Sequence, residues 1–61
     1  MNEEDRKTLD RMMIYGGSFA ANLAHAAGYA DSDNLETLKK AFPGLWLRYG
    51  ATGSFAKEVT K

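Results

Sequence analysis

Three residues in the second half of the chain, Trp46, Arg48 and Tyr49, carry side chains suited to binding a partner. Tryptophan, tyrosine and arginine are enriched at the energetic centres of protein interfaces. Lys39 and Lys40 precede them and add positive charge. The same mixture of rings and cations could stack on the bases and hold the phosphates of a single-stranded nucleic acid. These five residues are the predicted interaction site for a protein or, as the alternative, for nucleic acid.

No combination of residues predicts catalysis. Cysteine is absent and His25 is the only histidine, which excludes the familiar zinc sites. The sequence places no nucleophile or orienting carboxylate beside His25, so a surface position is expected for it. Asp31, Asp33 and Asn34 resemble part of a calcium loop, but the central glycine and the final glutamate are missing. We predict that the protein is not an enzyme and binds no metal or cofactor.

The length of the chain limits how the interaction residues can be positioned. A chain of 61 residues forms one small domain, which buries only about 60% of its unfolded surface. Such a domain depends on regular helix packing or on self-association, so a homo-oligomer is a further possibility. The amphipathic and alanine-rich segments predict an all-α fold, a compact bundle of three to four short helices over residues 1–50. Residues 51–61 have weak periodicity and are predicted to form a mobile or loosely docked C-terminal tail.

Two helices are predicted in the first half of the chain. Asn2 is suited to cap the first, which has acids in its first turn and is expected to end near Ile14 or Tyr15. Gly16-Gly17 predicts a turn, with a kinked continuation as the alternative, and Ser18 is expected to start the second helix. The expected apolar stripe of the first helix comprises Leu9, Met12, Met13 and Gly16. The expected buried face of the second comprises Phe19, Leu23, Ala26, Ala27 and Ala30.

Two shorter helices are predicted to carry the interaction residues. Asp31, Ser32 or Asp33 could cap the third helix, and Pro43 can occupy the first position of a fourth, which Gly50 ends. The expected stripe of the third helix comprises Leu35, Leu38, Ala41 and Phe42. Phe42, Leu45 and Tyr49 are expected to close the core against Phe19, Leu23 and Leu9. This arrangement leaves Trp46 at the border of the core, with Arg48 beside it.

Charge and hydropathy indicate the cellular location of the protein. Residues 1–38 carry −4 from seven acids and three bases, and residues 39–61 carry +4 from five bases and one acid. Helix dipoles account for such an asymmetry, although it could also steer a charged partner. No segment has the apolar length of a membrane span, and residues 1–6 are acidic where a signal peptide is basic. We expect a soluble, cytoplasmic protein.

A set of short motifs extends over residues 15–49. It comprises Tyr15-Gly16-Gly17-Ser18-Phe19-Ala20, Leu23-Ala24, Ala30-Asp31, Asn34, Ala41-Phe42-Pro43, Leu45-Trp46 and Tyr49. The set resembles small uncharacterised helical proteins of phages and prophages, although this chain has Gly44 where those proteins often have an acidic residue. The resemblance implies a phage source and a size class, without an activity.

The predicted function is that of a non-enzymatic, phage-type interaction module. Its expected partner is a host or phage protein, which it binds and modulates in the cytoplasm of the host cell. The Trp46, Arg48 and Tyr49 side chains are the contacts expected for this role. A nucleic-acid-binding accessory protein that uses its basic, aromatic C-terminal half is the alternative, and a self-assembling bundle is a third possibility.

Overall fold

Four helices follow one another in this computed structural model, which describes residues 1–56. They are α1 (Glu3–Tyr15), α2 (Gly17–Gly28), α3 (Ser32–Ala41) and α4 (Pro43–Tyr49). The radius of gyration is 10.3 Å, and a compact chain of this length is expected to have a radius of about 10 Å. The predicted all-α class is therefore confirmed, and the part of the chain that the structure describes contains no strand.

The side chains of Asn2 and Asp31 cap α1 and α3. The carboxamide oxygen of Asn2 accepts a hydrogen bond from the backbone N–H of Asp5 at 2.7 Å. A carboxylate oxygen of Asp31 accepts one from the backbone N–H of Asn34 at 2.8 Å, so Asp31 is the cap among the three candidates. Each cap of this kind typically stabilises a helix by about 1 kcal/mol. Pro43 occupies the first turn of α4 and Gly50 follows its last residue, as predicted.

The two glycines between α1 and α2 separate them into distinct helices. Gly17 has φ 76°, in the left-handed region that side chains other than glycine rarely adopt. The predicted turn is confirmed, and the alternative of a kinked continuous helix is wrong. α2 begins one residue earlier than predicted and ends at Gly28 instead of Ala30. The chain tightens there, because the N–H groups of Tyr29 and Ala30 donate to carbonyls three residues back.

The core lies between α1 and α2 and is closed by one residue from α3 and one from α4. Its buried apolar residues are Leu9, Met12, Ala20, Ala24, Ala27, Leu35 and Tyr49. α1 and α2 form the most extensive pair of helices. All three core positions of α2 are alanines, which lets the two helices approach closely.

The predicted apolar faces of α1 and α2 are partly wrong. Met13 is 40% exposed, Phe19 is 63% exposed and Ala26 is also exposed. A face made of Ala20, Ala24 and Ala27 turns toward α1 because small side chains permit a closer approach than a phenylalanine does. Phe19 is therefore displaced to the edge, where its ring meets that of Phe42 edge-on at 5.8 Å.

The third predicted stripe also needs correction. Leu35 is buried and Leu38 is half-buried, but Ala41 is exposed. Phe42 is half-buried beside the exposed Phe19, so the expected closure of the core against Phe19 does not occur. Tyr49 is buried and Leu45 packs on the core, as predicted.

A segment of turns follows α4. The N–H of Gly53 donates to the carbonyl of Gly50 at 3.0 Å, and the N–H of Ala56 donates to that of Gly53 at 3.2 Å. Phe55 is half-buried and packs against the core. Residues 51–56 are thus docked on the domain predicted for residues 1–50. The rest of the predicted tail, residues 57–61, lies outside the described residues.

Replacing Gly17 by alanine should lower the free energy of unfolding by about 1–2 kcal/mol, because an L-residue disfavours the left-handed conformation. A Cβ at Gly17 meets no heavy atom within 4 Å, so the loss reports the backbone conformation alone. Gly28→Ala is the matched control, because its Cβ is equally free and a helical alanine should gain about 0.5–1 kcal/mol. Urea unfolding followed by circular dichroism measures both. Equal effects of the two substitutions would contradict the left-handed conformation of Gly17.

Candidate functional site

The carboxylate of Asp5 engages two of the five predicted interaction residues. The Nζ of Lys39 lies 3.2 Å from each carboxylate oxygen, and the indole N–H of Trp46 donates to Oδ1 at 3.3 Å. Asp5 itself is buried, whereas Lys39 and Trp46 are half-buried. These contacts join α3 and α4 to the first turn of α1. The polar groups of Lys39 and Trp46 therefore act within the fold.

Tyr49, a third predicted interaction residue, belongs to the core. It is only 5% exposed. Its backbone carbonyl accepts a hydrogen bond from Nη1 of Arg11 at 3.0 Å. Because this carbonyl lies at the end of α4, the arginine also neutralises the negative end of the helix dipole. The structure thus gives Tyr49 a position in which almost all of its surface is buried.

Arg11 is a buried cation that the sequence did not single out. Its closest carboxylate is that of Glu4, with Nη1 4.0 Å from Oε2. Its Nε has no hydrogen-bond partner among the described residues. A buried guanidinium with one carbonyl acceptor and one distant carboxylate is held mainly by the fold around it. Arg11 therefore fixes the end of α4 to the middle of α1.

The exposed members of the predicted site are Arg48 and Lys40. Arg48 lines a shallow cleft with Phe19, Phe42 and Leu45. Within residues 1–56, no carboxylate lies close enough to Arg48 to form an ion pair. The five predicted residues consequently do not form one continuous surface. Two support the fold through Asp5, one is in the core, and two remain available to a partner.

A different surface, the groove between α1 and α2, offers a second candidate binding site. It encloses about 270 Å³. Leu9 and Ala24 contribute buried side chains to it. Its other lining residues are Met1, Arg6, Asp10, Met13, His25, Gly28 and Tyr29. We call this surface the α1–α2 groove.

Three large apolar side chains of the α1–α2 groove are accessible to solvent. Met1 is 58% exposed, Met13 40% and Tyr29 90%. The lining residues come only from residue 1, α1, α2 and the residue after α2. α3 and α4 thus contribute nothing to this side of the helix pair. Large exposed apolar side chains gathered in one groove are typical of an interaction site.

Comparisons with protein families, with curated proteins and with solved structures found no match.

The chemistry of the α1–α2 groove must therefore be deduced from its own residues. Methionine side chains adapt to differently shaped apolar partners, and the exposed ring of Tyr29 adds contact area and a hydroxyl. Arg6, Asp10 and His25 supply hydrogen-bonding groups around them. Within residues 1–56, no three His, Asp or Glu side chains are grouped so that they could hold a metal ion. Binding of an apolar surface is what this set of side chains can do.

The sequence contains a signal for the surface position of Met13, which the expected apolar stripe of the first helix did not reflect. Met12 and Met13 are adjacent, and only one of two adjacent helical residues can point directly at a neighbouring helix. Met13 shares a face with Arg6 and Asp10 at helical spacing, which marks it as a surface residue. The surface position predicted for His25 is confirmed. Without the packing of α2, however, the sequence did not place His25 beside Met13.

None of the described helices has the length and apolar character needed to cross a membrane.

Replacing Asp5 by alanine should lower the free energy of unfolding by about 1–3 kcal/mol, because it removes the acceptor of Lys39 and Trp46. The tryptophan emission should shift to longer wavelength as the indole gains contact with water. Asp10→Ala is the control, since Asp10 is an exposed acid on the same helix and its loss should change stability by no more than about 0.5 kcal/mol. Denaturant unfolding followed by tryptophan fluorescence measures both. Equal losses for the two variants would show that the contacts of Asp5 do not hold the helices together.

Proposed function

We propose that the protein is a non-enzymatic interaction module that holds an amphipathic helix of a partner protein in the α1–α2 groove. One observation supports this function above all. One side of the α1–α2 pair is covered by α3 and α4, while the other side exposes Met1, Met13 and Tyr29 without a covering element among residues 1–56. A helix pair with one uncovered groove is suited to receive a further helix.

The shape of the groove favours a helix as the bound element. Two packed helices leave a channel between them into which the side chains of a third helix fit, at axis separations of about 8–10 Å. Ala24 and Gly28 leave space for a bound helix on the α2 side of this channel, because neither carries a long side chain. The apolar face of an amphipathic helix could then contact Met13 and Leu9. This geometry corresponds to the helix-in-groove mode of peptide recognition.

Charged side chains at the groove would orient the bound helix. Arg6 and Asp10 lie one turn apart on α1 and have opposite charges. A partner helix with an acid near Arg6 and a base near Asp10 would bind in one direction in preference to the other, because the reverse direction places like charges together. The apolar contacts supply affinity, and this charge pair supplies direction.

The identity of the partner is a separate part of the proposal. The resemblance to small phage proteins favours a phage source and a host or phage protein as the partner. In that setting the module modulates the partner by occupying one of its helices, which requires no catalytic chemistry. Cytoplasmic location in the host cell belongs to the same proposal.

Met13→Lys should weaken partner binding at least ten-fold, because it places an ammonium group in the apolar groove. Ile14→Lys is the matched control, since Ile14 is the adjacent exposed apolar residue on α1 and does not line the groove. Wild type and both variants are used as baits in a host lysate. A lysate protein that binds in the α1–α2 groove should be retained by wild type and by Ile14→Lys. It should be lost with Met13→Lys.

The affinity of a protein found in this way is then measured by calorimetry with a peptide copied from its exposed helix. Circular dichroism confirms that each variant is folded. Equal retention by the Met13 and Ile14 variants would contradict the groove as the binding site. A mass that rises with concentration in light scattering and returns to the monomer in Met13→Lys would instead identify a second copy of the chain as the occupant.

The nucleic-acid alternative predicts a different result. Because Lys39 and Trp46 are engaged by Asp5, we expect no gel shift of single-stranded DNA or RNA of random sequence at low salt. A shift that falls steeply with salt would favour phosphate contacts. If Arg48→Ala abolished that shift while Met13→Lys left it unchanged, nucleic acid would replace the helix as the ligand.

A further inference from the structure

The ring of Phe55 stacks on two tyrosine rings, those of Tyr15 and Tyr49. The ring of Phe55 lies with its centroid 5.1 Å from that of Tyr15, and their planes differ by 15°. It lies at the same distance and angle from the ring of Tyr49. Tyr15 is the last residue of α1 and Tyr49 the last of α4. Phe55 therefore fills a slot that the ends of two helices form, which we call the tyrosine slot.

The fold does not depend on Phe55 in the way that it depends on its core. All of the buried apolar residues belong to α1–α4, whereas Phe55 is half-buried and comes from the segment of turns that follows them. Both walls of the slot are held by helices. The ring between them is held by a short non-helical segment, which is the kind of element that opens locally at low cost.

Gly53 determines how this segment reaches the slot. A Cβ built on Gly53 would overlap the carbonyl oxygens of Arg48 and Leu47 at the end of α4. The segment thus turns back over α4 with its backbone in direct contact with that helix, and only glycine permits the approach. A side chain at this position requires the backbone to shift, and we expect the shift to displace the segment that carries Phe55.

We infer that the tyrosine slot is a binding site for a planar aromatic side chain of a partner protein, and that Phe55 occupies it in the free protein. The class of ligand follows from the ring already present, because two tyrosine rings, each at 15° to the ring of Phe55, favour contact with a flat ring over an aliphatic side chain. The partner's ring replaces Phe55, and the segment of residues 51–56 leaves its place over α4. Neither tyrosine lines the α1–α2 groove, so this site is independent of the proposed function.

Competition between Phe55 and the partner's ring sets the affinity of the tyrosine slot for the partner. Phe55 is linked to the slot through a few residues, so it competes at the high effective concentration of a short tether. A free ring must overcome this competition in the wild-type protein. Removing the ring of Phe55 should therefore raise the affinity of the slot for aromatic ligands at least ten-fold.

The test compares full-length wild type with Phe55→Ala, using N-acetyl-L-phenylalaninamide as the probe. In Phe55→Ala, the probe should cause saturable NMR shifts of the ring protons of Tyr15 and Tyr49. Wild type should require at least ten-fold more probe. N-acetyl-L-leucinamide, which has no flat ring, should cause no comparable shifts. Phe19→Ala is the matched control, because Phe19 pairs with Phe42 outside the slot, and this variant should behave as wild type.

A second variant keeps the inference testable if Phe55→Ala loses helical structure by circular dichroism. Gly53→Ala retains the ring of Phe55 but displaces its segment, and it should bind the probe as Phe55→Ala does. Gly44→Ala serves as its control, because a Cβ there meets no heavy atom within 4 Å. Unfolding of both Phe55→Ala and Gly53→Ala would overturn the inference, because Phe55 would then be an essential part of the fold.

Other results would overturn it as well. Equal shifts with the phenylalanine and leucine probes would show an unselective cavity. The absence of shifts in a folded Phe55→Ala would show that the slot closes without its ring. A wild-type dimer that Phe55→Ala converts to a monomer in light scattering would make a second copy's Phe55 the occupant, in place of a partner protein.

Discussion

The close packing of α1 on α2 is the constraint on which the rest of the structure depends. Alanines at positions 20, 24 and 27 bring α2 near Leu9 and Met12, and this contact provides most of the core. So thin an interface has no room for a large ring, which explains the position of Phe19 at the edge. It also creates two grooves along the helix pair. α3 and α4 cover one of them, and the exposed methionines mark the other.

Polar contacts supplement the apolar ones that attach α3 and α4 to this pair. Asp5 binds a lysine of α3 and the indole of α4, and Arg11 binds the last carbonyl of α4. A chain of 61 residues has few apolar side chains to spare for a larger core. Directional contacts also specify one docking of two short helices, because a displaced helix would leave the charge of Asp5 or Arg11 buried without a partner.

Much of the fold could be predicted from local signals. Asn2, Asp31, Pro43 and Gly50 act at helix ends through contacts within a few residues, and such effects are visible in a sequence. The buried faces of the helices were harder to predict, because the distance between α1 and α2 decides whether Phe19 or Ala20 turns inward. The candidate site was hardest of all. Trp46, Lys39 and Tyr49 have the side chains of an interface. Trp46 and Lys39 are instead engaged by Asp5, which lies 41 and 34 positions away along the chain, and Tyr49 is buried in the core. Contacts over such separations leave no local signal in the sequence.

The sequence separation of the Asp5 and Arg11 contacts has a consequence for the order of folding. These contacts join residues 34, 38 and 41 positions apart, whereas α1 and α2 are joined by a single tight turn. Closing a long loop costs more chain entropy than closing a short one, so we expect the α1–α2 hairpin to form first and α3 and α4 to dock later. During synthesis and folding, the hairpin therefore exposes both of its grooves. The docking of α3 and α4 into one groove is the intramolecular counterpart of what a partner helix would do in the other.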